Sequence, residues 1–335
     1  MATKKTKTVP KKTKSRPDNE EDDHFFMSRD ISKKRKKFKG ISLAKHYKGQ
    51  TLKNKHGECY QISTKVKIDT IEPNHEKITE RLLLDLKVIP GISNTTENIL
   101  KKTGYNSVID LKKHSRYGIH ATNYAESVES KNGFKIYEHL SARFTSTNPL
   151  FLANTAFFNL SEIAFVDIET LGLSECPLFL IGIATFKDEH LVVDQIFVRQ
   201  LKEEKAALHF LGEHLKGKQA IGTFNGKSFD VPFIRKRMAR WNLKHEITLP
   251  HFDLKFLSQK AFQDLECEFS LSSLEEELFN VVRKDDVSGY EIPTYYNMYL
   301  RSKNIGSIVP IINHNKQDLI STANIFMKLH ERLSN

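Results

Sequence analysis

Apolar and polar positions change period several times along the chain. Between Thr79 and Leu111 the apolar residues Leu82, Leu83, Leu86, Ile99 and Leu100 recur at helical spacing. They predict two helices joined by Val88-Ile89-Pro90-Gly91-Ile92-Ser93, with Thr103-Gly104-Tyr105 after the second. From Ile163 the period shortens to two, and three strand-like runs follow: Ile163 to Glu169, Phe179 to Phe186 and Leu191 to Val198. An amphipathic helix near Glu203 to Leu215 comes next, with Leu208, Leu211 and Leu215 as its stripe, and then a strand from Gln219 to Phe224. A further helix starts near Val231 with Pro232 in its first turn, and carries Arg235, Lys236, Arg237 and Arg240. Ser270 or Ser272 can cap a helix through Leu274 and Leu278, and a long helix runs through Ile311 to Ile325. Three antiparallel strands followed by alternating helices and strands predict the α/β class, a mixed sheet flanked by helices. Short alternating runs from about Tyr47 to Ile71, with Gly49 and Gly57, predict a small β-hairpin. The chain thus divides into a polar tail (1–40), a small β element (41–78), a helical region (79–150) and the α/β domain (151–335).

The 335 residues are 39% hydrophobic, enough for a globular core and for more than one domain. The tail differs. Lys4, Lys5, Lys7, Lys11, Lys12, Lys14 and Arg16 form a basic arm, Glu20 to Asp23 an acidic patch, and Lys33-Lys34-Arg35-Lys36-Lys37 a second basic run. Such blocks bury too little apolar surface to fold alone, so a disordered, solvated tail is expected. The net charge of +11, from 52 Lys+Arg against 41 Asp+Glu, favours a polyanionic partner. Charge alone does not separate nucleic acid from an anionic membrane. No apolar run approaches the ~20 residues that span a bilayer, and no apolar segment follows the N-terminal charges as a secretory signal requires. Cys59, Cys176 and Cys267 are widely spaced and make neither a disulfide framework nor a zinc site. A reducing cytoplasm is the expected compartment.

Chemistry enters with Ile163-Ala164-Phe165-Val166-Asp167-Ile168-Glu169-Thr170. Strand alternation puts Phe165, Asp167 and Glu169 on one face. Two ionised groups on a core strand are costly to desolvate unless something pairs with them, and a hard cation such as magnesium or manganese is the obvious partner. Asp230 follows in Phe224-Asn225-Gly226-Lys227-Ser228-Phe229-Asp230-Val231-Pro232, a strand-to-helix turn. It reads as a metal ligand or as a helix N-cap. His314 and Asp318 lie four apart on the long helix and share a face. Asp318 falls among Ile311, Leu319, Ile320 and Ile325, unlike a surface charge. Asn225 and Lys227 read as contacts to the scissile strand or its phosphate, or else as turn chemistry and a solvated charge. Asp253 reads as a cap and His251 as structural.

Taken in order, Val166-Asp167-Ile168-Glu169-Thr170-Leu171-Gly172-Leu173, Phe224 to Pro232, His251-Phe252-Asp253-Leu254, Leu271-Ser272-Ser273-Leu274-Glu275, Ile292-Pro293 with Tyr295-Tyr296, and His314-Asn315-Lys316-Gln317-Asp318-Leu319 resemble the YprB-type family of predicted exonucleases. The resemblance runs from about Leu160 onward. It implies a ribonuclease-H-like fold, a four-carboxylate (DEDD) site and 3′→5′ exonuclease activity on DNA or RNA. It also implies two Mg²⁺ or Mn²⁺ ions, about 4 Å apart in such mechanisms. In that pattern Asp167 bridges both ions. Glu169 and Asp318 hold the one that activates water, Asp230 acts on the other through a bound water, and His314 orients the attacking water or accepts its proton. The motifs are also similar to those of family-B polymerase proofreading domains, where a tyrosine stands in the place of His314. The 79–111 segment looks like a helix-hairpin-helix, whose hairpin amides face a phosphate. Gly91 and Ser93 are then candidate phosphate contacts, although Ser93 stands where a second glycine is usual. The alternative is an αα-hairpin capped by Ser93 or Asn94. The rival to the enzyme reading is a noncatalytic nucleic-acid-binding protein or an accessory subunit of a repair or processing complex.

Overall fold

The computed structural model describes residues 31–244, 247–284 and 286–334. Seven strands form one sheet: β1 (Gln50–Asn54), β2 (Gly57–Lys67), β3 (Ile163–Thr170), β4 (Leu178–Lys187), β5 (His190–Phe197), β6 (Ala220–Thr223) and β7 (His251–Asp253). Their spatial order is β1-β2-β5-β4-β3-β6-β7. Strands β3, β4, β5, β2 and β1 are successively antiparallel, whereas β6 and β7 run parallel to β3. β3 and β4 are central and buried on both faces, which is why they read as nearly continuous apolar runs.

Each face of the sheet carries its own core. On one, Phe165 and Leu319 pack with Ile78, Leu82, Tyr124 and Phe326. On the other, Val166 and Ile168 pack with Leu208, Ile234 and Tyr296. The strand alternation foreseen for β3 thus sorts its residues between two helical layers. The first layer contains helices His75–Leu84, Asn94–Lys102, Gly118–Glu129, Gly133–Ser141 and Leu150–Thr155, together with the long helix Val309–Ser334. Thr155 Oγ1 and His330 Nε2, 2.9 Å apart, tie the long helix to that layer.

The long helix crosses β3, β4 and β5 at very close range. Gly182 of β4 makes this possible. It stands opposite Asp167 in the antiparallel register. A Cβ there would be 2.5 Å from Asn315 Oδ1 and 2.5 Å from Leu319 Cδ1.

Two expectations about the N-terminal third need correction. The hairpin at 41–78 is continuous with the main sheet, because β2 pairs along its length with β5. Its alternation could not reveal that partner, which lies far away in sequence. Part of the 1–40 tail is also folded. Residues 31–37 are helical, and Ile31 and Phe38 are buried against the second core. Two apolar anchors and a hydrogen bond from Asn304 Nδ2 to Arg35 O (2.9 Å) secure this otherwise basic run. Residues 1–30 lie outside the described part of the chain.

Among the described residues no helix is long and apolar enough to cross a membrane.

Candidate active site

Asp167 and Glu169 sit at the C-terminal end of β3. β6 is only four residues long and pairs with β3 no further than Phe165. The edge of β3 beyond that point is left open, and Asp230 fills it. Asp230 begins the helix Asp230–Arg240, and its Oδ1 accepts a hydrogen bond from Ile168 N at 3.1 Å. The cap reading of Asp230 therefore fails. Phe229 is the N-cap, and the Asp230 carboxylate turns back to β3.

The long helix supplies the other half. Asn315 Nδ2 donates to Asp167 Oδ2 at 2.7 Å. Gln195, itself bonded to Asn315 Oδ1 at 2.7 Å and to Ile312 O at 2.8 Å, fixes the orientation of that amide. One turn on, Asp318 Oδ1 meets Arg283 at 2.7 Å and its Oδ2 lies 3.6 Å from His314 Nε2. His314 Nδ1 bonds Asp286 Oδ1 at 2.7 Å. Arg283 also grips Glu275 at 2.6 Å and Asp286 at 3.1 Å.

Asp167, Glu169, Asp230 and Asp318 thus converge, and they repel one another. Burial raises the Asp167 pKa far above the usual carboxylate range, and the charges of Asp318, Asp230 and Glu169 add to it. Burial likewise carries Glu169 to about 8 and Asp230 to about 7. Asp318 is raised by burial despite the opposing pull of His314 and Arg283. Burial disfavours a charged His314. The hydrogen bond to Asp286 and the charges of Asp318 and Glu169 outweigh it, pushing the imidazole up to about 9. The same contacts hold Asp286 down at about 2 against its burial.

Such a cluster is short of positive charge, and this is the observation by which it fits divalent cations. Oxygen donors are the right chemistry for magnesium or manganese, and Asp167, Glu169 and Asp230 have no arginine or lysine ion pair among the described residues. As the side chains stand, no three His, Cys, Asp or Glu groups among the described residues close around one point as an ion's cage would require. Asp318, engaged by Arg283, is the member furthest from free.

The turn before Asp230 is organised by Asp253, the N-cap of helix Leu254–Ala261. Its carboxylate accepts from Asn225 N (2.8 Å), Lys227 N (2.9 Å) and Lys255 N (3.2 Å). Asn225 takes the left-handed conformation, φ 65°, which asparagine tolerates. Replacing Asp253 with Ala should strip three backbone donors of their acceptor and cost about 3 kcal/mol in a urea unfolding experiment. Unchanged stability would mean the turn holds its shape without that carboxylate. His251 bonds Thr223 Oγ1 at 2.8 Å, and burial takes its pKa down to about 3, so it is a neutral structural group.

The remaining sequence candidates are placed elsewhere. The Lys227 ammonium lies 5.9 Å over the Phe151 ring, and no ion pair joins it to the four carboxylates among the described residues. Ser93 is the N-cap of helix Asn94–Lys102, its side chain accepting from Thr96 N, as in the αα-hairpin alternative. Gly91 has φ +85°, a conformation that favours glycine whatever the loop binds. Arg237 is not part of a solvated face; it is buried in a double hydrogen bond with Glu204. Sequence reasoning missed Arg283, Asp286 and Asn315 as site residues. Asn315 is three residues before Asp318 and shares its helix face, a spacing that could have marked it. Arg283 and Asp286 come from an irregular segment with no periodicity to mark them.

The RNase_H superfamily model matches residues 164–330. The uncharacterized protein YprB of Bacillus subtilis (strain 168) is 24% identical over 212 residues, 61% of this chain and 51% of YprB. The chain therefore spans about half the length of that curated relative. A family B DNA polymerase from the hyperthermophilic archaeon Pyrobaculum calidifontis aligns with a TM-score of 0.40 and 14% identity, over 50% of this chain and 24% of the polymerase. Residues 164–330, the segment that carries all four carboxylates, thus belong to the ribonuclease-H-like superfamily, and the chain is similar to YprB.

Proposed function

We propose that the protein is a metal-dependent nuclease that hydrolyses phosphodiester bonds, acting as a 3′→5′ exonuclease. The observation that carries the reading is the convergence of four mutually repelling carboxylates from β3, the Asp230 helix and the long helix. Keeping such groups together raises the energy of the fold. They gain a use when positive charge is brought to them.

Asp167, Glu169, Asp230 and Asp318 would hold magnesium or manganese, which supplies charge neutralisation and an activated water when bound. Asp230 keeps its second oxygen for the site while the first is anchored to Ile168 N. Asn315 orients Asp167 from the opposite side. His314, steered by Asp286, is an imidazolium at neutral pH in the arrangement described above. In that state it binds phosphate oxygen or donates a proton. Serving as a base requires its pKa to fall first.

A specific observation favours a second reading. Arg283 occupies one oxygen of Asp318, as it would in a ribonuclease-H-like domain that binds nucleic acid without cutting it. One assay separates the two. Labelled single- and double-stranded DNA and RNA are incubated with Mg²⁺, Mn²⁺ or EDTA, with Asp318→Ala as control. Metal-dependent laddering from the 3′ end that the variant lacks is the expected result. Binding with no cleavage under any metal condition would establish the noncatalytic reading.

A further inference from the structure

A cleft of about 550 Å³ opens beside the carboxylate cluster. This is within the range of roughly 300–1,000 Å³ that ligand sites occupy. Its walls come from three separate parts of the chain: the 31–38 segment with Lys34 and Lys37, the stretch after helix Leu271–Phe279 with Val282 and Lys284, and the first turns of the long helix with Lys316. Arg283 and His314 line it as well. Both touch Asp318, so the cleft leads directly into the candidate active site.

The polarity of this cleft is opposite to that of the site it adjoins. Five Lys and Arg side chains line it against one carboxylate, Asp286, among the described residues. Lys37 and Lys284 are exposed. The Lys37 ammonium lies 5.6 Å over the buried Phe38 ring, at the rim. Val281 and Val282 add accessible apolar surface, 39% and 63% exposed. The 31–38 wall is firmly seated: a Cβ on Gly306 would come within 2.7 Å of Lys34 O and Arg35 Cα, so the two backbones touch. Cations along a groove are what the phosphates of a nucleic-acid strand require, and the two valines add apolar surface against which a base can pack. They also answer a difficulty of the site itself. Phosphates flanking the cut would be repelled by the carboxylates, and this cleft offers them compensation.

We propose that the cleft binds the single-stranded stretch of nucleic acid adjoining the phosphodiester to be cut, with the folded part of the basic N-terminal segment as one wall. The inference rests on the nuclease reading but is tested apart from it. The variant is Lys37→Glu with Lys284→Glu, and the control is Lys65→Glu with Lys67→Glu, an equal charge change on β2. Fluorescence anisotropy with labelled single-stranded DNA and RNA in EDTA, across a salt series, measures binding without cleavage. The cleft variant should bind on the order of tenfold more weakly, and its log–log salt slope should flatten by about 1.4, from two lost phosphate contacts at about 0.7 each. The control should keep the wild-type slope. Equal losses in both variants, a cleft variant that binds like wild type, or no binding by the wild type would each overturn the proposal. If the wild type never cleaves while the cleft variant alone loses binding, the nuclease reading falls and the cleft stands. If the wild type cleaves and the cleft variant binds normally, the reverse holds.

Discussion

Replacing Asp167 with Asn should abolish metal-dependent cleavage and, in the same molecule, stabilise the metal-free fold. Asp167 lies at the centre of the cluster, repelled by Asp318, Asp230 and Glu169. An amide keeps the shape and can still accept the hydrogen bond from Asn315, but it removes the charge. The rate should fall by roughly a thousandfold or more, the scale of losing one group that stabilises transition-state charge. In EDTA, rising pH forces the native carboxylate to ionise against its charged neighbours whereas the amide has no proton to lose, so the variant's advantage should grow with pH and reach about 1 kcal/mol or more. That corresponds to roughly 2–4 °C in Tm for a domain of this size. A variant that still cleaves would remove Asp167 from the reaction. A variant that is inactive but less stable in EDTA would show that the cluster is held by bonds rather than strained by charge.

The second large effect is a pH dependence that divalent metal should erase. Glu169, Asp230 and His314 have folded-state pKa values of about 8, about 7 and about 9, all above their ordinary values. The folded state therefore binds more protons than the unfolded chain between about pH 4 and pH 9. For the carboxylates, stability falls as pH rises from their ordinary range through the folded values. For His314, the stabilisation is complete below its ordinary pKa and is lost as pH rises through about 9. The contributions have the same sign. Asp286, held at about 2, works the opposite way, and its stabilisation is lost only as pH falls below the ordinary carboxylate range. In EDTA, Tm should therefore be highest near pH 5 and decline steadily toward pH 9. A group displaced by two pKa units accounts for about 2.7 kcal/mol over that range. With saturating Mn²⁺ the alkaline decline should flatten, because bound cations favour the ionised carboxylates. A profile in EDTA that rises between pH 5 and pH 8 would refute the electrostatic picture of the site.

The sheet was legible in sequence where each strand announces itself by its own alternation. β3, β4, β5 and β6 were located to within one residue at each end, and the residues of β3 were assigned to the correct faces. Three of the four carboxylates stood out because each breaks a local rule, whereas Asp230 could pass for an ordinary helix cap. Asp167 and Glu169 are charged within a core strand, and Asp318 is charged among apolar helix neighbours. What stayed hidden depends on distant pairing. β2 and β5 are separated by more than a hundred residues, and nothing in either strand names the other. Arg283 and Asp286 lie in an irregular segment whose charges resemble any solvated loop, and only the fold brings them to His314 and Asp318. The basic run at 33–37 looked unfoldable because its two anchors, Ile31 and Phe38, lie just outside it.

The contact at Gly182 bears on how accurately the site can be set. Where two side chains meet across a core, a change of rotamer on either side can take up a small displacement. Here the Asn315 and Leu319 side chains of the long helix rest directly on the backbone of β4, with no room for a single methyl group. Asn315, which meets that backbone, also bonds Asp167 on the neighbouring strand. The separation of the two carboxylate-bearing elements is thus limited by a hard stop rather than by a spring. The helix cannot come closer, and the Asn315 bond resists its moving away. Tolerance for error in that spacing is correspondingly small, so any side chain at position 182 would act as a shim that lifts Asp318 out of register with Asp167.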